Sequence, residues 1–251
     1  MRARNGDTTL PIFDVHNYLG GIVVPGAPNN APDIMAAMKQ RGIHGGVLLS
    51  RHARNVDPLA GNRVLKATLD QGTNLFGCLV AHTNRPESSI AAMREMMNMS
   101  KFLGMTVVTD DLNEPLPRVL TDDILNAFRR FSKVLFVFTP NAGCVQVGFE
   151  LAKSYPTLKV VFLGMGGKDW RTAIAAAKTA TNIFLETSGA LDCAKIPAAV
   201  PVIGIHRILF GSGSPKVDAA AALGLIEDSG LSEETKQRIL FGNAAKLFGF
   251  E

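Results

Sequence analysis

Near its start the chain carries the stretch Pro11-Ile12-Phe13-Asp14-Val15-His16-Asn17-Tyr18-Leu19-Gly20. An apolar beginning followed by Asp, His and Tyr predicts a short buried strand whose polar side chains lie at its carboxyl end. In barrels built from parallel strands, the carboxyl ends of the strands surround the functional site. This stretch therefore predicts the first strand of a barrel with a site at its mouth.

Strand and helix patterns alternate along the rest of the chain. Residues 46–50 form a continuous apolar run, which is typical of a strand buried on both faces of a parallel sheet. Apolar residues at helical spacing follow, and the pattern repeats to give eight strand–helix units in about 210 residues. No Gly-x-Gly-x-x-Gly follows the first strand, although a doubly wound open sheet usually has one there. The sequence therefore predicts a single (β/α)8 TIM barrel of the α/β class, spanning residues 1–251.

Three further segments have their own predictions. Residues 1–9 are polar and are expected to be frayed. Residues 24–32, rich in Pro, Gly and Asn, are expected to form a loop over the site. The tail predicts a C-terminal helix pair whose first helix begins at Ser232, with two glutamates in its first turn.

Composition limits the class of protein. Hydrophobic residues make up 47% of the 251 residues, so the chain is able to bury a large core. The net charge is +4, but Lys and Arg form no dense run with aromatics, so no nucleic-acid partner is expected. No apolar run reaches the roughly 18 residues of a membrane span, and the start lacks a secretory pattern, so a cytoplasmic location is expected. Cys78, Cys144 and Cys193 form no Cys-x-x-Cys pair, which is typical of reduced thiols.

Five segments at the predicted strand ends follow one another in a recognisable order. They are Phe13-Asp14-Val15-His16, Leu163-Gly164-Met165-Gly166-Gly167, residues 182–189, residues 207–215 and Gly242-Asn243-Ala244-Ala245-Lys246-Leu247-Phe248. Together they resemble the amidohydrolase-related TIM barrels, a family of metal-dependent hydrolases and decarboxylases. The resemblance covers nearly the whole chain and implies the barrel fold.

The sequence departs from this family at the metal-binding positions. The family holds its metal with a His pair after strand one, a His after strands five and six, and an Asp after strand eight. The matching residues here are His16, Tyr18, Phe138, Gly164 and Gly213. Because a catalytic zinc site needs about three protein ligands, one imidazole and one phenol do not suffice. The resemblance therefore implies a barrel that has lost its metal site, with neither metal nor cofactor expected.

Four residues are candidates for catalysis. His16 lies at a strand end and is a candidate general acid or base, because imidazole exchanges protons near neutral pH; alternatively it is a structural histidine. Tyr18 either donates a hydrogen bond to a ligand or fills the volume left by a missing metal. His52 and His82 are predicted to end strands two and three, where they would share the mouth with His16, form a new metal site with it, or remain solvated.

A second group of residues is predicted to bind the substrate. Arg51 is a candidate partner for a carboxylate or phosphate because its guanidinium is a planar fork. Ser212 and Ser214 lie in a glycine-rich loop after strand eight, where barrels often bind anions. Thr139 follows the fifth strand. Alternatively, the glycines of this loop are retained only because the turn inherited from the family needs them, and the loop binds no anion.

Three functions remain open from the sequence. The first is a metal-independent enzyme of hydrolase, lactonase, lyase or isomerase type that acts on a small polar, possibly anionic, substrate. The second is a catalytically inactive binding or assembly subunit. The third is a family-type hydrolase with displaced metal ligands. The resemblance also suggests a homo-oligomer.

Overall fold

The strands of the protein form one parallel sheet in chain order. In the computed structural model, which describes residues 11–20 and 30–250, they are β1 (Phe13–Leu19), β2 (Gly45–Ser50), β3 (Leu75–His82), β4 (Phe102–Val108), β5 (Val134–Phe138), β6 (Val160–Leu163), β7 (Ile183–Glu186) and β8 (Ile208–Leu209). Each strand pairs in parallel with the next, from β1 to β8. The predictions for residues 1–9 and for most of the loop at 24–32 lie outside the described residues.

Hydrogen bonds between the last strand and the first close the sheet into a barrel. The Val15 N–H donates to the Phe210 carbonyl, and the Tyr18 N–H donates to the Ser214 carbonyl. The Gly213 N–H donates back to the His16 carbonyl. The predicted (β/α)8 TIM barrel is thereby confirmed.

Helices follow the strands and cover the outside of the barrel. They are α1 (Ala31–Gln40), α2 (Arg51–Asn55), α3 (Pro58–Leu69), α4 (Pro86–Met96), α5 (Arg118–Phe128), α6 (Ala142–Ser154), α7 (Trp170–Thr179), α8 (Lys195–Ile203), α9 (Ala219–Glu227), α10 (Glu233–Gln237) and α11 (Asn243–Phe248). Ser232 caps α10, so the C-terminal helix pair begins at the predicted residue. Among the helices described, none is long and apolar enough to cross a membrane.

The barrel interior is apolar and is closed at the end opposite the mouth. Alternate strand residues point inward and form one buried cluster that includes Phe13 and Phe136. Phe13 packs edge-on against Phe250, with 4.9 Å between ring centres, and Phe248 lies 6.3 Å from it. Because Phe13 begins β1, these rings fill the amino-terminal end of the barrel. The carboxyl ends of the strands form the opposite end.

Asn62 on α3 ties this helix to β3. The ladder between β2 and β3 ends at the pair Leu49 and Cys78, so Val80 lies beyond it. The fully buried Asn62 side chain accepts a hydrogen bond from the Val80 N–H at 3.0 Å and donates one to the Val80 carbonyl at 2.8 Å. The Asn62 side-chain amide therefore bonds the Val80 backbone in the way that a neighbouring strand would.

Asn62→Ala is expected to lower the free energy of unfolding by about 2–4 kcal/mol, because it leaves a buried N–H and a buried carbonyl unpaired. Urea unfolding followed by circular dichroism measures the change. Gln146→Ala, at an exposed position of α6, is the matched control and should change stability by less than about 0.5 kcal/mol. Equal stability of the two variants would contradict the assigned role of Asn62.

Candidate active site

A hydrogen bond between His16 and Glu186 lies at the mouth of the barrel. His16 Nδ1 is 3.1 Å from Glu186 Oε2, and both side chains are buried. The register between β1 and β2 shifts between Asp14 and Asn17, which is the segment that carries His16. Such bulges re-aim side chains near active sites. Glu186 is the last residue of β7, so the contact spans the short strand β8.

Several donors hold Glu186 as a carboxylate. The Gly164 N–H donates to Oε2 at 3.0 Å, and the Ser188 hydroxyl donates to the same oxygen at 2.7 Å. The Ser188 N–H donates to Oε1. Burial acts to raise the pKa of the Glu186 carboxyl, but the hydrogen bond and charge of His16, together with the bonds from Ser188 and Gly164, lower it overall. Because an ionised carboxylate only accepts, the proton of this contact resides on His16 Nδ1.

The other ring nitrogen of His16 is Nε2. Nε2 is buried and has no hydrogen-bond partner among the described residues. The His16 ring lies edge-on to Tyr18 and Phe138, with ring centres 5.0 and 5.7 Å away. With Nδ1 protonated, Nε2 carries a lone pair and is able to accept a proton.

A buried lysine fixes the segment after β7. Lys195 is fully buried, and its Nζ donates to the carbonyls of Thr187, Ser188 and Ala190 at 2.6 to 2.8 Å. Burial lowers the pKa of Lys195 to about 8, against the opposing effect of the Glu186 charge. These bonds hold the loop that carries Ser188 beside His16.

Asp14 is a second buried carboxyl next to His16. Its Oδ1 accepts from the N–H groups of His16 and Ser212, while Oδ2 has no partner among the described residues. Burial raises the pKa of Asp14 from 3.8 to about 6, although the bonds from Ser212 and His16 act in the opposite direction.

His16, Ser188 and Ser212 border a cavity of about 450 Å³ at the mouth. Its lining comes from the loops after several strands and includes His16, Tyr18, Phe138, Ser188, Ser212, Gly164 and Gly213. The Lys, Arg and Asp residues in the lining are Arg54, Lys168, Lys216 and Asp111. Three of these four side chains are cationic, so the charged part of the lining is net positive.

The predicted substrate-binding residues have different positions. Ser212 lines the cavity. Arg51 is not part of the cavity lining, and its guanidinium carbon lies 4.6 Å from the Tyr18 ring centre. The Thr139 hydroxyl donates to the Leu163 carbonyl, and Thr139 is fully buried outside the cavity lining. The Ser214 N–H donates to the Ser212 hydroxyl, and Ser214 does not line the cavity.

The three histidines His16, His52 and His82 do not share this cavity. His52 does not end a strand as predicted, because β2 stops at Ser50, whose hydroxyl caps α2; His52 is exposed on that helix. His82 ends β3 as predicted, but it is buried, with Nε2 3.2 Å from Asp110 Oδ1. Burial and the charge of Arg85 lower the pKa of His82, against the effect of Asp110.

Sequence reasoning missed Glu186 and Lys195 as site residues. Glu186 is a carboxylate at the carboxyl end of an apolar barrel strand, and that position is the sequence signal that identifies it as a site residue. Lys195 is the first residue of α8, and lysines are ordinarily exposed. Nothing in the sequence indicates that this one is buried.

The chain belongs to the amidohydrolase family, because the family's sequence profile, described as amidohydrolase, matches residues 18–250. The predicted family resemblance is thereby confirmed. Curated protein sequences give no significant match.

Solved structures give the same fold at low identity. A dihydroxybenzoic acid decarboxylase from Polaromonas sp. JS666, with bound manganese and 2-nitroresorcinol, has a TM-score of 0.75 at 17% identity, covering 96% of this chain and 97% of that one. The 5-carboxyvanillate decarboxylase from Sphingomonas paucimobilis has a TM-score of 0.73 at 14% identity, covering 97% and 100%. A probable 2-pyrone-4,6-dicarboxylic acid hydrolase from Acinetobacter baumannii, with citric acid bound, has a TM-score of 0.67 at 14% identity, covering 95% and 99%. At these identities the similarity shows the fold alone.

The raised pKa of Asp14 predicts a pH-dependent stability difference. In the folded chain this carboxyl resists ionisation up to about pH 6, whereas in the unfolded chain it ionises near its ordinary pKa of 3.8. Its contribution therefore weakens the fold as pH rises through this window, and Asp14→Asn removes that effect. The unfolding free energy of the variant minus that of the native chain should increase by about 2–3 kcal/mol from pH 4 to pH 7.5.

Urea unfolding at the two pH values measures this difference. Asp123→Asn, at an exposed position of α5, is the control and should give a nearly constant difference. A constant difference for Asp14→Asn as well would show that the Asp14 carboxyl titrates as an ordinary aspartate.

Proposed function

We propose that this amidohydrolase-family protein is an enzyme of hydrolase or lyase type that works without the family's metal centre. His16 is its general base, and Glu186 orients and stabilises it. The observation that carries the proposal is the hydrogen bond from His16 Nδ1 to a buried carboxylate, which leaves Nε2 without a hydrogen-bond partner among the described residues, on a side chain that lines the cavity. A carboxylate that fixes the histidine tautomer in this way is the arrangement found behind many catalytic histidines.

The donor set at the mouth does not fit a metal centre. The described residues include no group of three or more His, Cys, Asp or Glu side chains placed to hold a metal ion. Glu186 is occupied by His16, Ser188 and Gly164, and the apolar Phe138 ring packs against His16. Because a catalytic zinc site needs about three protein ligands, His16 and Tyr18 do not supply enough.

Hydrolysis of an ester or lactone illustrates the proposed chemistry. His16 Nε2 takes a proton from water as the water oxygen adds to the substrate carbonyl, and Glu186 stabilises the imidazolium that forms. The acyl C–O bond then breaks, and the leaving oxygen takes the proton back from Nε2. Burial raises the pKa of the Tyr18 phenol above its ordinary value, although Arg51 opposes this, so Tyr18 stays protonated and is a candidate donor to the developing oxyanion.

A small carboxylate is the substrate class we propose. The cationic lining of the cavity supports this, and the names of the three similar structures specify a dihydroxybenzoic acid, a carboxyvanillate and a pyrone dicarboxylic acid. Tyr18 and Phe138 lie nearly parallel, with 13° between their planes, and offer apolar faces to the body of such a molecule. A cytoplasmic location and a homo-oligomeric state stay predictions.

One observation favours the second candidate, a binding or assembly subunit. The rings of Tyr18 and Phe138 pack against His16. Such packing is also expected of a histidine whose role is only structural. A measurement of catalytic turnover distinguishes the enzyme from the binding or assembly subunit.

His16→Asn is expected to reduce kcat by at least about 100-fold, because it removes the base, and Glu186→Gln by about 10- to 100-fold, because it removes the charge behind the base. The assay uses chelator-treated protein and a panel of aryl esters and lactones that each bear a carboxylate, with product release followed by absorbance. His206→Gln, an exposed histidine at the opposite end of the barrel, is the control and should leave kcat unchanged.

Turnover that appears only after manganese or zinc is added would contradict the proposal. Equal rates for the native chain and His16→Asn would remove His16 from the mechanism. Ligand binding without turnover of any compound in the panel would favour the binding subunit.

A further inference from the structure

His82 ends β3 and is not among the residues that line the cavity. Its side chain is fully buried, and its Nδ1 accepts a hydrogen bond from the Asn84 N–H at 3.1 Å. Because only an unprotonated nitrogen is able to accept, the proton of the neutral ring resides on Nε2. Nε2 lies 3.2 Å from Asp110 Oδ1, and no described group gives it a well-aligned hydrogen bond. His82 therefore has the opposite tautomer from His16.

The contacts around His82 connect three segments at the mouth of the barrel. Asn84, in the loop after β3, donates from its side chain to Asp110 Oδ2 at 3.0 Å. Asp110 lies in the loop after β4, and its carbonyl accepts from the guanidinium of Arg54, which follows β2, at 2.8 Å. Arg85 donates to the Arg54 carbonyl at 3.2 Å. We refer to these five residues as the His82 cluster.

The His82 cluster holds part of the cavity lining in place. Arg54 lines the cavity itself, and so do Asp111, Leu112 and Asn113, the three residues that follow Asp110. The Asn113 N–H donates to Asp111 Oδ1 at 2.8 Å, so these lining residues form one turn of the loop after β4. Since Asp110 attaches this turn to the cluster, a change at Asp110 is expected to displace the lining.

A second proton on the His82 ring would break its hydrogen bond with Asn84. A protonated Nδ1 is a donor, and it would then face the donor N–H of Asn84. The imidazolium would be attracted to Asp110, but the Asp110 side chain is 73% exposed, so solvent screens this attraction. The guanidinium groups of Arg85 and Arg54 oppose the second proton. Burial and the charge of Arg85 hold the pKa of His82 below its ordinary value of 6.5.

We propose that His82 is a positioning residue whose neutral ring ties together the segments after β2, β3 and β4, and that a second proton on the ring releases the loop after β4. Because that loop and Arg54 line the cavity, its shape is fixed near neutral pH and loosens in acid. This inference rests on the proposed function of the site and adds regulation by pH to it.

An NMR titration of the isotope-labelled full chain, from about pH 7.5 to about pH 5, tests the proposal. The ring nitrogen shifts should place the proton of His82 on Nε2 at neutral pH, and a second proton should enter only below pH 6.5. Hydrogen exchange of the Asn84 N–H, corrected for its intrinsic rate, should be at least about tenfold faster at the acid end. The amide signals of Asp110 and Asp111 should shift with the same midpoint.

Two charge variants should move this midpoint in opposite directions. Asp110→Asn, at an exposed position, removes a charge that favours the imidazolium, so the midpoint should fall. Arg85→Gln removes a charge that opposes it, so the midpoint should rise. A purely structural His82 would not respond to either change.

A third variant removes the titrating group. His82→Asn keeps an acceptor for the Asn84 N–H but does not titrate, so the corrected exchange rate of this amide should change by less than about twofold over the same range. His206→Gln, an exposed histidine at the opposite end of the barrel, is the control. Its Asn84 N–H should respond to pH as in the native chain.

A proton on His82 Nδ1 at neutral pH, an Asn84 exchange rate without the acid increase, or the same increase in His82→Asn would each overturn the inference. These measurements use no substrate and no turnover. His16→Asn should leave the response of Asn84 unchanged, which separates failure of this inference from failure of the proposed catalytic role of His16.

Discussion

The contact between His16 Nδ1 and the Glu186 carboxylate is the interaction on which the site depends. It places the proton on Nδ1 of the imidazole ring and leaves Nε2 without a hydrogen-bond partner among the described residues. Glu186 is able to do this while fully buried because Gly164 and Ser188 donate to it. Lys195 in turn holds the carbonyls of the following loop, so His16, Glu186 and the supporting donors form one connected network.

The barrel explains how residues so far apart in sequence meet. His16 lies on β1 and Glu186 on β7, and closure of the sheet leaves only the two-residue strand β8 between them. The glycines at positions 164 and 213 have positive φ angles of 82° and 70° and leave side-chain volume out of the mouth. That volume becomes part of a cavity whose charged lining residues are Arg54, Lys168, Lys216 and Asp111. The mouth of this barrel holds the buried, hydrogen-bonded pair of His16 and Glu186.

Much of the fold is readable from the sequence, whereas the site is only partly so. Apolar strands and capping residues such as Ser232 are local signals, and they predicted the barrel and its C-terminal helices. His16 and Tyr18 were singled out because they end a strand. His52 does not end a strand because the hydroxyl of Ser50 caps a helix that begins at Arg51, so β2 ends two residues before His52. Lys195 was missed because its burial depends on three carbonyls that only the folded loop brings together.

The metal content of active, chelator-free protein tests the central claim most directly, since that claim is a base site that works without the family's metal centre. Elemental mass spectrometry should find manganese, zinc and iron together at less than about one-tenth of an atom per chain, far below the single ion of a catalytic site. About one atom per chain that is lost in His16→Asn would contradict the account and return His16 to the role of a metal ligand.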